Sequence, residues 1–370
     1  MTHKLPESDP YQEIYLEKNR GWGLCETRFL NPDKKDKWKK EKKVTTEMLA
    51  NMQTRCIGHY LIDIPLAFEN IINNEIFIGD AKIETKRMHL STFEQRIEMR
   101  EQKLRTTKTA DPKDLPFLKK TYHLQGNLYG VIFDRNNSVS EPGFSRVLEA
   151  HLYDNGVAFI IEMKLTEISD DKYSYSMDRY IKSGLNENQY KMLSQTLDKM
   201  QRLIARISGR KDSDIPTAAG ICIPDGFIAD YNNEKESIKF VYQGNQDDNF
   251  IFSLEIINDL KGEGTLLERI SEIERDWFIN YGKVIRKEER EINGIHGEEL
   301  LAVGLQSFDN NPRYQFDFIA NDMVLDDKKV CVVIMLMNYQ LPATPYTEDE
   351  LIIFWDAITK TFRKRPDDFE

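Results

Sequence analysis

A short apolar run that recurs in the second half of the chain constrains this sequence more than any other feature. The first copy is Thr54–Pro65, TRCIGHYLIDIP, and the second, weaker copy is Ala219–Asp230, AGICIPDGFIAD. Ile57, Leu61, Ile62 and Ile64 give the first run its bulk, Gly58 interrupts it and Pro65 ends it. In the second run Cys222 falls where Cys56 stood, with isoleucines beside it and again a Gly and a Pro. Each run reads as one extended segment. Each is followed by a long charged helical pattern, several strand-like runs and a closing helical pattern. The recurrence predicts an α+β chain of two similar domains, each an antiparallel sheet with helices packed on one face.

Taken in order, residues 1–53 read as an N-terminal arm, 54–212 as the first domain and 213–370 as the second, with Gly209–Thr217 as a polar linker. In the arm, Trp22 and Phe29 are the apolar anchors, and the lysine-dense stretch Asn31–Lys43 reads as a solvated tail or polar helix. Ile76 and Ile78 belong to a strand ending at Gly79–Asp80. His89–Arg105 is helical, capped by Ser91 or Thr92, with Glu94 completing a capping box with Ser91 and Leu90, Phe93, Ile97 and Leu104 as the apolar stripe. Strands follow at His123–Phe133, Arg146–Tyr153 and Val157–Leu165, and Asn155–Gly156 is the strongest hairpin signal. Tyr173–Tyr180 reads as a strand or a loop, and Asn186–Ile207 as one long helix that Gly209 stops.

The second domain repeats the pattern. Gly220–Tyr231 is extended. Ser237–Tyr242, Asn249–Asn258, Lys283–Ile292, Gly297–Leu305, Tyr314–Ala320 and Lys329–Tyr339 are strands, the last the most buried of its sheet because VCVVIMLM is almost wholly apolar. Thr265–Tyr281 matches the first charged helix. Thr347–Phe362 closes the chain, with Thr347 and Glu350 as a capping box.

The residues show no assembled chemistry. A net charge of −11 argues against nucleic acid as a partner. Cys25, Cys56, Cys222 and Cys331 have no CxxC spacing; the last three sit among aliphatics and read as buried thiols, and spacing does not argue a disulfide. No apolar run is long enough to cross a membrane as a helix, and the polar start MTHKLPESDPYQEI has no signal-peptide h-region. Gly143–Phe144–Ser145 does not complete a GxSxG elbow, Gly262–Glu263–Gly264 is a turn, and there is no Walker loop or HExxH. His59 reads as a hydrogen-bonded structural histidine. Glu298 and Glu299 are strand neighbours that point to opposite faces and so form no acid–base pair. The sequence therefore predicts no catalytic, cofactor-binding or metal-binding residues.

Two segments together resemble the immunity proteins that bacteria pair with type VI secretion lipase effectors of the fourth class. The first is Cys56–Ile57–Gly58 with Leu61–Ile62–Asp63–Ile64–Pro65. The second joins Gly294–Ile295–His296–Gly297–Glu298–Glu299, Tyr314–Gln315–Phe316, Thr347–Glu348–Asp349–Glu350, Trp355–Asp356 and Arg363–Lys364–Arg365–Pro366. The resemblance covers about residues 54–366. It implies two α+β domains arranged as a claw that grips a secreted phospholipase and obstructs its active-site cleft in the periplasm. It assigns no contact residues. Those come from the turns Gln243–Asp248 and Phe308–Arg313, which are acidic, polar or aromatic, and the expected contacts are Gln243, Asp247, Asp248, Asp309, Asn310 and Arg313. The competing readings are a hydrolase with an unrecognised site, which would turn over esters unaided, and a general envelope binding module, which would not protect against a neighbouring toxin. Without a leader the protein would be cytoplasmic.

Overall fold

The computed structural model describes residues 49–366 except 72–75, 125–127, 230–234, 246, 258–264, 280–281 and 321–330. The arm, apart from its last residues, and the turn at Gly262–Gly264 lie outside the described residues.

The first half runs β1 (Met52–Ile57), β2 (Tyr60–Pro65), β3 (Glu69–Asn70), β4 (Ile76–Ile78), β5 (Ala81–Arg87), α1 (Leu90–Thr106), β6 (Leu118–His123), β7 (Tyr129–Asn136), β8 (Ser145–Asp154), β9 (Val157–Thr166), α2 (Ser174–Lys182), α3 (Leu193–Ile204) and β10 (Ile207–Gly209). The second runs β11 (Gly220–Ile223), β12 (Gly226–Ala229), β13 (Glu236–Gln243), β14 (Ile251–Ile257), α4 (Ile270–Ile279), β15 (Lys283–Ile292), β16 (Ile295–Leu305), β17 (Pro312–Ala320), β18 (Cys331–Met337), α5 (Glu348–Thr359) and β19 (Arg363–Lys364).

The two halves have the same strand order. Among the described residues one antiparallel sheet of thirteen strands runs β15-β16-β17-β18-β14-β13-β4-β5-β9-β8-β7-β6, with β3 paired to β13. It reads the same from either end. β13 and β4, the first sheet strand of each half, pair at the centre through Glu236↔Ile78, Ser237↔Phe77 and Ile238↔Ile76. The hydrophobic core is continuous across this seam, because Ile76, Ile83 and Ile161 from one half and Ile238, Ile256 and Phe316 from the other are all fully buried in one cluster.

Both apolar runs that open the halves are hairpins and not single extended segments. Gly58, at φ +55°, turns β1 into β2, and Asp225, at φ +56°, turns β11 into β12. The hairpins exchange partners between halves. β10, which closes the first half, pairs with β12 of the second, and β19, which closes the second, pairs with β2 of the first. The hairpins then meet at one point. Gly58 and Cys222 exchange both backbone hydrogen bonds, at 2.8 and 3.0 Å, and a Cys56–Cys222 disulfide closes a loop of 166 residues. The expectation of buried thiols is therefore wrong for these two cysteines, whereas Cys331 is buried and outside any disulfide. A Cβ on Gly58 would lie 2.2 Å from Cδ1 of Ile256, and the φ of +55° is one that favours glycine, so a side chain here would both strain the turn and displace Ile256.

Two arginines complete the junction. Arg210, next after β10, donates to the carbonyl oxygens of Gly226 and of Cys56, at 2.9 and 2.8 Å. Arg365, next after β19, donates its backbone N–H to His59 O at 2.9 Å and its guanidinium to Gly220 O. Both side chains are buried, so the linker is stitched to both hairpins.

The closing helices α3 and α5 share the inner face, as expected. The earlier helix of each half lies against the outer face. Phe93 and Leu104 bury α1 there, and Arg100 pairs with Glu149 of β8. Before α4, Leu267 N–H donates to Glu298 at 2.7 Å, whereas Glu299 faces inward, 0% exposed, and accepts from Trp355 Nε1 of α5 at 2.8 Å. The two glutamates do point oppositely. Arg286 and Arg290 pair with Glu299, which explains a fully buried carboxylate in the core.

Several local expectations fail for identifiable reasons. Asn155–Gly156 (φ +48° and +79°) makes the predicted turn, and the unpredicted Asn293–Gly294 (φ +50° and +80°) makes its counterpart between β15 and β16. The helix expected over 186–207 begins only at Leu193. A 3₁₀ turn at Glu187–Gln189 precedes it, and the end of β9 captures the chain through Met192 N→Thr166 O (3.0 Å) and Leu193 N→Glu167 (2.8 Å). Tyr173–Tyr180 is neither strand nor loop: Asp170 accepts from Lys172 N–H and starts a 3₁₀ turn that leads into α2. The N-cap position of α1 is His89 and not Ser91, and it makes no side-chain capping bond; Glu94 instead accepts from the Tyr129 hydroxyl at 2.6 Å. Along β18 the buried positions alternate with half-buried ones, because its outer face lies open to a groove.

The junction generates a stability prediction. Reducing the disulfide, or replacing Cys56 and Cys222 by Ala, should cost about 3–5 kcal/mol, as the closure of so long a loop implies. Urea unfolding with and without reductant measures it.

Candidate binding surface

Three loops meet at one end of the second half's sheet: 244–250 between β13 and β14, 306–311 between β16 and β17, and 338–347 between β18 and α5. Each is held by buried polar side chains. Gln306 is fully buried, donating Nε2 to Leu341 O (2.8 Å) and accepting from Gln340 N–H (2.9 Å). Asn338, also fully buried, accepts from Tyr314 N–H (2.8 Å) and donates to Pro312 O (2.9 Å). Asn249 donates to Ala343 O at 2.9 Å. Buried amides of this kind are costly unless satisfied, and satisfied ones fix a loop in one conformation.

The expected contact residues divide on this frame. Asp309 and Asn310 are exposed at the tip of 306–311, where Asn310 adopts φ +57° and Asp309 accepts from both nitrogens of Asn311. Asp247 is exposed and Gln243 half-buried at the end of β13. Asp248 is different: it is buried, accepts from the Tyr346 hydroxyl at 2.6 Å, and its carbonyl accepts from Thr344 Oγ1 at 2.8 Å. Its Oδ2 would lie 2.2 Å from a Cβ on Gly244, so the carboxylate packs against the turn and does not face outward. Asp248 is thus a loop anchor and unsuited to touch a partner. Arg313 is half-buried, its guanidinium 4.2 Å from the Tyr339 ring centroid.

Tyr339, read from the sequence as the end of a strand and not as a contact, and Phe308 stand 44% and 59% exposed in these loops. The signal for Tyr339 lay in an aromatic directly after the apolar run of β18, a position that reads as strand until the loop geometry is known. Two exposed aromatics and a stacked arginine on rigid loops form the kind of surface that anchors protein partners.

Each half also carries a groove between its earlier helix and the outer face of the sheet. The first is charged. Its buried carboxylate, Glu149, is 2.5 Å from Arg135 Nε, 2.6 Å from Arg100 Nη2 and 2.7 Å from His151 Nε2. Burial pushes the Glu149 carboxyl up, but these donors outweigh it and hold the group well below the usual carboxylate range. The second groove, about 430 Å³, is apolar, walled by Leu266, Ile273, Leu300, Val333 and Met335, with Asp317 on its floor and Arg313 at its margin. Asp317 is 7% exposed, and burial pushes its carboxyl up to about 7 against the opposing hydrogen bond from Gln315. Elsewhere, His59 is buried 3.4 Å from Glu236, consistent with a structural histidine. Among the described residues no group of three or more His, Cys, Asp and Glu side chains could hold a metal ion.

With fold and surface in place, comparison with known proteins is decisive as to class. Models of the N-terminal and C-terminal domains of Tle cognate immunity protein 4 match residues 53–210 and 214–367. The chain belongs to this family, the immunity proteins of type VI lipase effectors. Solved structures share its fold. The apo immunity protein TplEi of the type VI secretion system of Pseudomonas aeruginosa matches with a TM-score of 0.65 at 17% identity, covering 85% of this chain and 97% of that one. The Tle4–Tli4 complex matches with a TM-score of 0.65 at 16% identity, covering 86% and 98%. TplEi bound to the "L" peptide, from the same organism, matches with a TM-score of 0.61 at 17% identity, covering 85% and 99%. No curated protein matches the sequence.

Two predictions follow from the buried carboxylates. Asp248→Ala should destabilise the protein by about 1–3 kcal/mol by leaving the Tyr346 hydroxyl and the Gly244 turn unsupported, while exposed Asp247→Ala should stay within about 0.5 kcal/mol; chemical denaturation separates them. Asp317 stays protonated in the fold after it has ionised in the unfolded chain, between its ordinary value of 3.8 and about 7. It therefore contributes a loss of stability as pH rises through that window, and Asp317→Asn should flatten this part of the pH–stability curve.

Proposed function

We propose that this protein neutralises a type VI secreted phospholipase by binding it one-to-one and obstructing its active-site cleft. The observation that carries this reading is membership of the immunity family over both halves of the chain. The Tle4–Tli4 complex supports it as a precedent for a protein of this fold held by a partner. The two domains, 54–212 and 213–370, act as one unit, with residues 1–53 as an arm. The rigid loop end of the second half supplies the anchoring surface: Phe308, Tyr339 and Arg313 fill apolar recesses of the effector, and Asp247, Asp309, Asn310 and Gln243 form the polar rim. Inhibition is steric, so the protein itself turns over no lipid.

The site of action is the periplasm. The Cys56–Cys222 disulfide supports this, because such bonds persist in oxidising compartments. Among the described residues no helix is long and apolar enough to cross a membrane.

Titrating a lipase encoded beside this protein with the purified chain, while following phospholipid hydrolysis, tests the proposal. Activity should fall to zero at a molar ratio near one. Phe308→Ala and Tyr339→Ala should each weaken inhibition about tenfold or more, the range of anchoring aromatics, without lowering thermal stability. Full lipase activity at a large excess of the native protein would overturn the reading.

A further inference from the structure

The two outer grooves occupy corresponding places under the earlier helix of each half, yet their buried carboxylates are treated differently. In the first half Glu149 is surrounded by the chain's own cations, Arg100 and Arg135, and by His151. In the second half Asp317 accepts at its Oδ2 from Gln315 Nε2, 3.0 Å away, and among the described residues its buried Oδ1 meets no hydrogen-bond donor. An acceptor left in that state costs free energy that a donor arriving from outside would recover. The walls around it are apolar: Leu300 and Met335 flank Asp317 in register on the neighbouring strands, and Val333, Leu266 and Ile273 line the rest. A greasy slot with one acceptor on its floor fits a donor carried on an aliphatic stem.

We propose that this groove is a specificity pocket for a basic side chain, lysine or arginine, of a bound polypeptide, whose stem lies on Leu300 and Met335 and whose cationic head donates to Asp317. The proposal deepens the reading of the protein as an effector inhibitor, and in that setting the basic residue belongs to the effector. The groove adjoins the loop end, since Arg313 stacks on Tyr339 and also borders the groove, so one partner can cover both.

The charge logic is consistent with that occupant. From β17 the groups facing Asp317 are Gln315 and Arg313; from the segment before α4 it is Arg269; the lining residues of β16 and β18 carry no charge. Arg269 is exposed and the Arg313 guanidinium stacks on Tyr339, and the groups that set the Asp317 carboxyl are its burial and Gln315. Burial pushes the Asp317 carboxyl up to about 7. A cation prefers the ionised form, so binding draws the proton off and strengthens as pH rises.

The test needs no effector. The intact protein, labelled at methionine methyl groups, is titrated with n-hexylammonium, n-hexanol and hexanoate while the Met335 signal is followed by NMR. Hexylammonium should shift Met335 saturably, about tenfold more tightly at pH 8 than at pH 6, as ionisation of a group near 7 requires. Asp317→Asn, which removes the charge and keeps the shape, should abolish both the binding and its pH dependence. Equal binding of hexanol or hexanoate, or hexylammonium binding unchanged in Asp317→Asn, would overturn the proposal. In the lipase titration Asp317→Asn should weaken inhibition about 30-fold or more, the effect of truncating a buried charge pair. Inhibition by the native protein together with unchanged inhibition by Asp317→Asn would overturn the pocket and leave the inhibitor reading intact, whereas no inhibition by the native protein would overturn the reading alone.

Discussion

The exchange of closing strands between the two halves is the constraint on which the rest of the structure depends. β10 completes a hairpin of the second half and β19 completes one of the first, so each half contains a strand pairing that only the other can supply. The disulfide, the paired backbone of Gly58 and Cys222, and the guanidinium groups of Arg210 and Arg365 all lie where these hairpins meet. Neither half is closed on its own. The central pairing of β13 with β4 extends the same dependence into the main sheet, where a single core crosses the seam.

That arrangement explains which parts of the fold were legible in the sequence. The duplication was, because each half repeats the same order of apolar runs and charged helices, and Asn155–Gly156 and the Thr347–Glu350 box are local signals with local outcomes. The exchange was not, because strand partners are chosen by tertiary contacts that leave no trace in spacing. The same reasoning covers the cysteines. Cys56 and Cys222 occupy matching positions of the two opening runs, which suggested equivalence; in a structure where the two opening hairpins meet, those positions are joined to each other.

The surface was legible in part. Acidic and polar turns could be located, and Asp309 and Asn310 do lie at an exposed tip. Whether a turn aspartate faces water or anchors its loop depends on a residue nearly a hundred positions away, as Tyr346 shows for Asp248. Tyr339 was hidden by its proximity to an apolar strand. The unmatched acceptor of Asp317 could not be read at all, since Tyr314, Phe316 and Phe318 against Gln315 and Asp317 is ordinary alternation of a half-wet strand. Only the helix laid over that face makes one of its polar residues buried. The duplicated grooves also show how two copies of a unit diverge: one retained its own cations for its buried acid, while the other kept apolar walls around an acid it does not neutralise.

A further consequence concerns how the molecule is made. The hairpin near the start of the folded body cannot be completed until residues 363–365, at the far end of that body, have arrived. Sequential maturation, in which an early portion settles while a later one is still being synthesised or exported, is therefore closed to this topology. Nearly the whole of this folded body must be present before its first few strands find their permanent neighbours, and the slow step in its assembly should be this long-distance closure.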